Sequence, residues 1–132
     1  LSEASAGDVI YLENAAYTSD RIINREVRLE GAHSALSNNG TNLNDATWQL
    51  EDYIILSHLK MRGASEIKGF TSQISHINGS GLNITATGPN LVLTNIYGGD
   101  VVFESGTSGG IIDSSRNVTV TDNGTNTVGD IA

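Results

Sequence analysis

Leu56-Ser57-His58-Leu59, Ile74-Ser75-His76-Ile77, Leu93-Thr94-Asn95-Ile96 and Ile112-Asp113-Ser114-Ser115 are four versions of one unit, and their first residues stand 18, 19 and 19 apart. Ile131 falls another 19 along. A second column keeps a similar period: Ile84, Val102 and Val120 are spaced by 18, each with a glycine four residues later, at Gly88, Gly106 and Gly124. Upstream, Ile67 precedes Ile84 by 17 and Trp48 precedes Ile67 by 19. This period is too short for an ankyrin, tetratricopeptide or propeller unit. It suits one coil of a β-solenoid, in which short strands and turns carry the chain once around and each coil stacks on the last.

In such a stack, strands of neighbouring coils pair in parallel about 4.7–4.9 Å apart, so equivalent residues form ladders along the axis. Leu56, Ile74, Leu93 and Ile112 are then expected as one inward stack and Ile84, Val102 and Val120 as another. Parallel crossovers are overwhelmingly right-handed. The expected fold is therefore all-β, a right-handed single-stranded parallel β-helix with coils of about 17–19 residues and about three short strands in most coils.

The composition agrees. The 132 residues include 15 Gly, 13 Asn and 26 Ser plus Thr, together 54, with a single Pro. Gly, Asn, Asp and Ser serve turn positions because they tolerate left-handed backbone or bond their own main chain. Residues 1–132 are enough for one domain. Only Ser2 to Ala6 reads as a short helix, placed at 1–6 to cap the first coil. Ala32 to Ala46 is expected to be a loop insertion, because Ser37 to Asp45 is too polar for a core strand. Ile131 would begin a new coil with no cap after it, so the chain reads as part of a longer solenoid.

A formal charge of −8 would repel a phosphate backbone, which argues against nucleic-acid partners. The lack of long apolar runs, and of a charged region before an apolar one at Leu1, argues against membrane insertion. Zero cysteines exclude disulfide frameworks, zinc knuckles and cysteine catalysis.

The opening Ala6-Gly7-Asp8-Val9-Ile10-Tyr11-Leu12, then Tyr17, Ile22-Ile23 and Val27-Arg28-Leu29-Glu30-Gly31, resembles the first coils of right-handed parallel β-helices of the pectate-lyase-like superfamily. Leu56-Ser57-His58-Leu59-Lys60-Met61-Arg62-Gly63 is similar to that superfamily's strand, bend, strand unit, whose bend position often carries an asparagine ladder. His58, His76, Asn95 and Ser114 occupy it here. The superfamily includes polysaccharide lyases, glycoside hydrolases and bacteriophage tailspikes. The resemblance is strongest to a tailspike or tail-fibre segment. It implies a virion-borne shaft that recognises host surface polysaccharide, with a homotrimeric parent protein. A secreted lyase or hydrolase and a bacterial surface adhesin are the alternatives.

His58 and His76 lie on adjacent coils, where two imidazoles can hold a metal or act as acid and base. A transition metal needs a third or fourth ligand, however, and the column continues with Asn95 and Ser114, so a hydrogen-bonding bend ladder is preferred. His33 stands alone beside the insertion. Glu104 and Asp122, 18 apart with Asp100 and Asp113 nearby, are the catalytic candidates. The paired acids and histidine of polygalacturonase-like enzymes and the Asp-Pro-His of alginate epimerases are not recognisable, so no catalysis by this segment is expected. Lys60, Arg62 and Arg116 are too scattered to form a cluster. The Asn-x-Ser/Thr matches at Asn39, Asn78, Asn83, Asn117 and Asn123 are expected by chance in so polar a chain. A surface glycan held without cofactor or metal along an outer face is the expected ligand. Tyr97, Phe103 and Asp113 are its candidate contacts, and the Ser37 to Asp45 loop is its rim. Acidic side chains would disfavour strongly anionic glycans.

Overall fold

In a straight strand, residues i and i+3 point to opposite faces, yet Leu56 and Leu59, Ile74 and Ile77, and Leu93 and Ile96 are all buried. The residue between each pair resets the alternation. In the computed structural model His58, His76, Asn95 and Ser114 have φ of +61°, +55°, +53° and +50°. Asn and His enter this left-handed region more readily than most L-residues. The chain thus turns a corner at each of these positions and buries an aliphatic side chain on either side of it.

The structure describes residues 4–32, 40–79 and 82–132. Among them the chain forms β1 (Val9–Tyr11), β2 (Ala16–Tyr17), β3 (Arg21–Ile23), β4 (Arg28–Glu30), β5 (Asn42–Asn44), β6 (Thr47–Leu50), β7 (Ile55–Arg62) and β8 (Glu66–Gly69). The upper coils add β9 (Gln73–Asn78), β10 (Asn83–Ala86), β11 (Val92–Tyr97), β12 (Asp100–Phe103), β13 (Ser108–Asp113), β14 (Thr119–Asp122) and β15 (Thr125–Val128). One sheet runs β1-β4-β7-β9-β11-β13-β15, with β5 bridging β2 to β7. The other runs β3-β6-β8-β10-β12-β14. Every pairing is parallel, giving a β-solenoid of about six turns. Most coils contribute two strands rather than three, because the longer strand, bent at its left-handed residue, serves two faces. Among the described residues no helix is long and apolar enough to cross a membrane.

The first inward stack is as expected: Leu56 pairs with Ile74, Ile74 with Leu93, and Leu93 with Ile112, all essentially inaccessible. It extends downward through Leu29 to Ile10. The lower core is closed by Trp48, against which Tyr17 packs edge-on with ring centroids 5.9 Å apart.

Several expectations need correction. The second inward stack runs Trp48, Ile67, Ile84, Val101, Val120, not through Val102. Val102 instead lies opposite Thr85 and Thr121. Only Gly98 and Gly99, with φ of +85° and +83°, separate β11 from β12, and the inward positions Ile84 and Val101 are 17 residues apart, as Ile67 and Ile84 are. The same one-residue slip turns Phe103 inward, where it is wholly buried, so it is a core residue and not an outer-face contact.

Ile131 does not continue the first stack either. Val128 pairs with Ile112 after a register shift, while Ile131 bridges to Ser115. Ser115 is a hydroxyl at an otherwise aliphatic inward position. It is satisfied there, accepting from the Ile96 amide at 3.1 Å and donating to the Asp113 carbonyl at 2.9 Å.

The expected excursion from Ala32 to Ala46 holds a strand, β5. Its Leu43 is fully buried, in register with Tyr17 and Met61, while Asn42 and Asn44 take the alternate positions. One inward leucine is enough for a three-residue strand. Residues 33–39, which include His33 and Ser37 to Asn39 of the expected rim, lie outside the described residues. So do residues 1–3 of the expected helix, and Ala4 to Ala6 are not helical. A reciprocal turn closes there instead, with the Ser5 amide donating to the Asp8 carboxylate at 2.8 Å and the Asp8 amide to the Ser5 carbonyl at 3.1 Å.

Candidate functional site

The bend column presents its left-handed residues on the outside of the corner. His58 and His76 stack face to face, with ring centroids 4.7 Å apart and planes within 8°. That spacing is the coil repeat itself. Each Nδ1 lies beside the hydroxyl of the preceding serine, 3.1 Å for Ser57 and 3.2 Å for Ser75, which fixes both ring orientations. Glu30, in register with Ser57, places Oε1 3.8 Å from His58 Nδ1. Asn95 continues the ladder one coil up.

Two residues beyond each bend runs a second column, in which Lys60 is buried, Asn78 is partly buried, and Tyr97 and Arg116 are exposed. Lys60 pairs with Asn78, Asn78 with Tyr97, and Tyr97 with Arg116. These positions are spaced by 18, 19 and 19, the same period as the bend itself. Tyr97 is 42% exposed, and the Arg116 guanidinium carbon lies 4.9 Å from its ring centroid. This is a cation–π contact, with Arg116 on the coil above Tyr97 and Asn78 on the coil below. Gly79 permits the close approach of the coils beneath: a Cβ there would fall on the Met61 carbonyl oxygen, and its amide donates to the Tyr97 carbonyl at 3.2 Å.

Between the two columns lies an open groove of about 510 Å³ with buried Ile77 in its floor. That volume is within the range of small-ligand sites, about 300–1,000 Å³. Its walls offer stacked imidazoles, primary amides, one tyrosine ring and one guanidinium. This combination gives planar surfaces for stacking and bidentate hydrogen-bonding groups. No protein-family model, curated protein or solved structure matches the chain.

The remaining candidates lie apart from this groove. Asp122 pairs in register with Phe103, so the spacing of 18 sets Glu104 one position out of line with it. The Asp122 carboxylate accepts from the Asn126 side chain at 2.8 Å, the Gly124 amide at 3.0 Å and the Asn126 amide at 3.2 Å. These bonds, the Asn126 side chain foremost, hold its pKa below the ordinary 3.8. A depressed pKa is the opposite of what a general acid needs near neutral pH. Glu104 is exposed, and its carbonyl closes the turn with Thr107. Asp113 caps the bend: its Oδ1 accepts from the Ser114 and Asp130 amides, both at 2.8 Å. Among the described residues no three His, Cys, Asp or Glu side chains are grouped to hold a metal ion.

Of the three sequence-derived contacts, Tyr97 alone lines the groove. Arg116 does not stand out in the sequence as a site residue, because Lys60 and Arg62 lie far from it along the chain. Its place in the period, two residues after the bend, would have paired it with Tyr97.

Proposed function

We propose that this chain is a rigid shaft segment that binds a surface polysaccharide along the bend-column groove, without cofactor and without cleaving it. The pairing of an exposed Tyr97 ring with the Arg116 guanidinium beside a ladder of imidazole and amide groups carries the reading. Sugar rings offer apolar faces to an aromatic side chain and hydroxyls to planar, bidentate donors and acceptors, and the groove follows the solenoid axis as an extended polymer would. The proposed setting is a tailspike or tail fibre of the pectate-lyase-like type, acting as a homotrimer at a virion tail.

A glycan array followed by titration of the bound polymer tests this. The expected outcome is binding that Tyr97→Ala weakens by about tenfold or more, equivalent to about 1.4 kcal/mol, with polymer length unchanged after prolonged incubation. Failure to bind any surface glycan would overturn the reading. Shortening of the polymer would replace it with that of a lyase or hydrolase.

A further inference from the structure

The chain carries 15 carboxylate side chains against seven Lys and Arg, so its overall field disfavours anions. The groove departs from that average. None of its lining residues is acidic, and Arg116 brings a fixed positive charge to one end. Glu30 adjoins the other end through His58. Two further carboxylates lie at the Arg116 end: Asp113, which already has an oxygen engaged by two backbone amides, and exposed Asp130, whose amide donates to Asp113 and whose carbonyl accepts from the Ser115 amide.

Glu30 and Arg116 are four coils apart, counting Glu30, Ser57, Ser75, Thr94 and Asp113 along the paired column. At about 4.8 Å per coil this is about 19 Å, roughly twice the screening length of about 8–10 Å at ordinary ionic strength. The two ends therefore act independently. An anion beside Arg116 is attracted and does not feel Glu30, whereas a polymer charged on every residue must also lie against Glu30.

Building on the glycan reading above, we propose that the groove selects a heteropolysaccharide segment. A carboxylated sugar sits against Tyr97 with its carboxylate on Arg116, and neutral sugars run across Asn95, His76 and His58. The planar guanidinium fork suits a carboxylate better than a lysine would.

Calorimetric titration with three probes tests the proposal: sialyllacto-N-tetraose, which has one terminal carboxylate, the neutral lacto-N-tetraose, and tetragalacturonate. The sialylated sugar is expected to bind about tenfold or more tighter than its neutral counterpart, and tetragalacturonate no tighter than the sialylated one. Arg116→Gln should abolish the difference and Arg116→Lys should keep part of it. Glu30→Gln should strengthen tetragalacturonate alone. Equal binding of the sialylated and neutral sugars, both weakened by Tyr97→Ala, would overturn charge selection while leaving the glycan site standing. Tightest binding of tetragalacturonate would overturn it too, as would binding of none of the three. Failure on the full glycan array as well would remove both readings together.

Discussion

The bend column and the Ile84 column of the opposite sheet share one period but differ in how tightly the sequence determines them. At the bends of His58, His76 and Asn95, two buried aliphatic residues flank a pair that includes a left-handed residue, and a slip of one position either way carries one of those aliphatic residues out of the core. On the opposite sheet, Val101-Val102 offers two β-branched side chains in succession, and either can face inward until the neighbouring turn decides. Registers marked by a backbone requirement are legible. Registers marked only by hydrophobicity are open to a slip of one, and here the slip exchanges Val102 for Val101 and draws Phe103 into the core.

The largest expected effect lies in the well-determined column. Leu93→Ala should destabilise the fold by about 2–5 kcal/mol, through lost transfer energy and the cavity left between Ile74 and Ile112. Chemical denaturation measures this, and a cost below about 0.5 kcal/mol would show that the stack does not face inward.

The slipped column supplies a sharper contrast. Val101→Ala should cost about 2 kcal/mol and Val102→Ala less than about 1 kcal/mol. A reversal of that order would restore the register read from equal spacing.

A third comparison separates backbone from side chain at the bend. Asn95→Val puts a β-branched residue at φ of +53° and should cost about 1–2 kcal/mol, whereas Asn95→Gly should be nearly neutral. Equal losses would mean that the side chain, and not the left-handed backbone, stabilises the corner.

The smallest effect concerns Asp122. Its pKa is lower in the folded protein than the ordinary 3.8, so its contribution is present above that value and is lost as pH falls through the folded pKa. Asp122→Asn should be the less stable protein at neutral pH, and the gap should close in strong acid. A gap that persists unchanged to pH 2 would show that the turn does not depend on the carboxylate charge.

How much was legible follows from the same contrast. The parallel repeat and the Leu56, Ile74, Leu93, Ile112 stack were readable because each coil repeats the same bend. β5 was not, because a three-residue strand needs only Leu43 facing inward and its asparagines dominate the local composition. Tyr97 was readable as an outward aromatic. Its partner Arg116 was not, because the contact comes from coil stacking 19 residues apart and leaves no mark in the neighbouring sequence.

The central claim is that one parallel register brings His58, His76 and the Tyr97–Arg116 pair to the same outer corner. Interstrand nuclear Overhauser contacts on uniformly labelled protein test it directly. Ring-to-ring contacts between His58 and His76 are expected, with backbone contacts linking Tyr97 with Arg116 and Ile84 with Val101. Contacts of antiparallel hairpins, or backbone pairing of Ile84 with Val102, would contradict it.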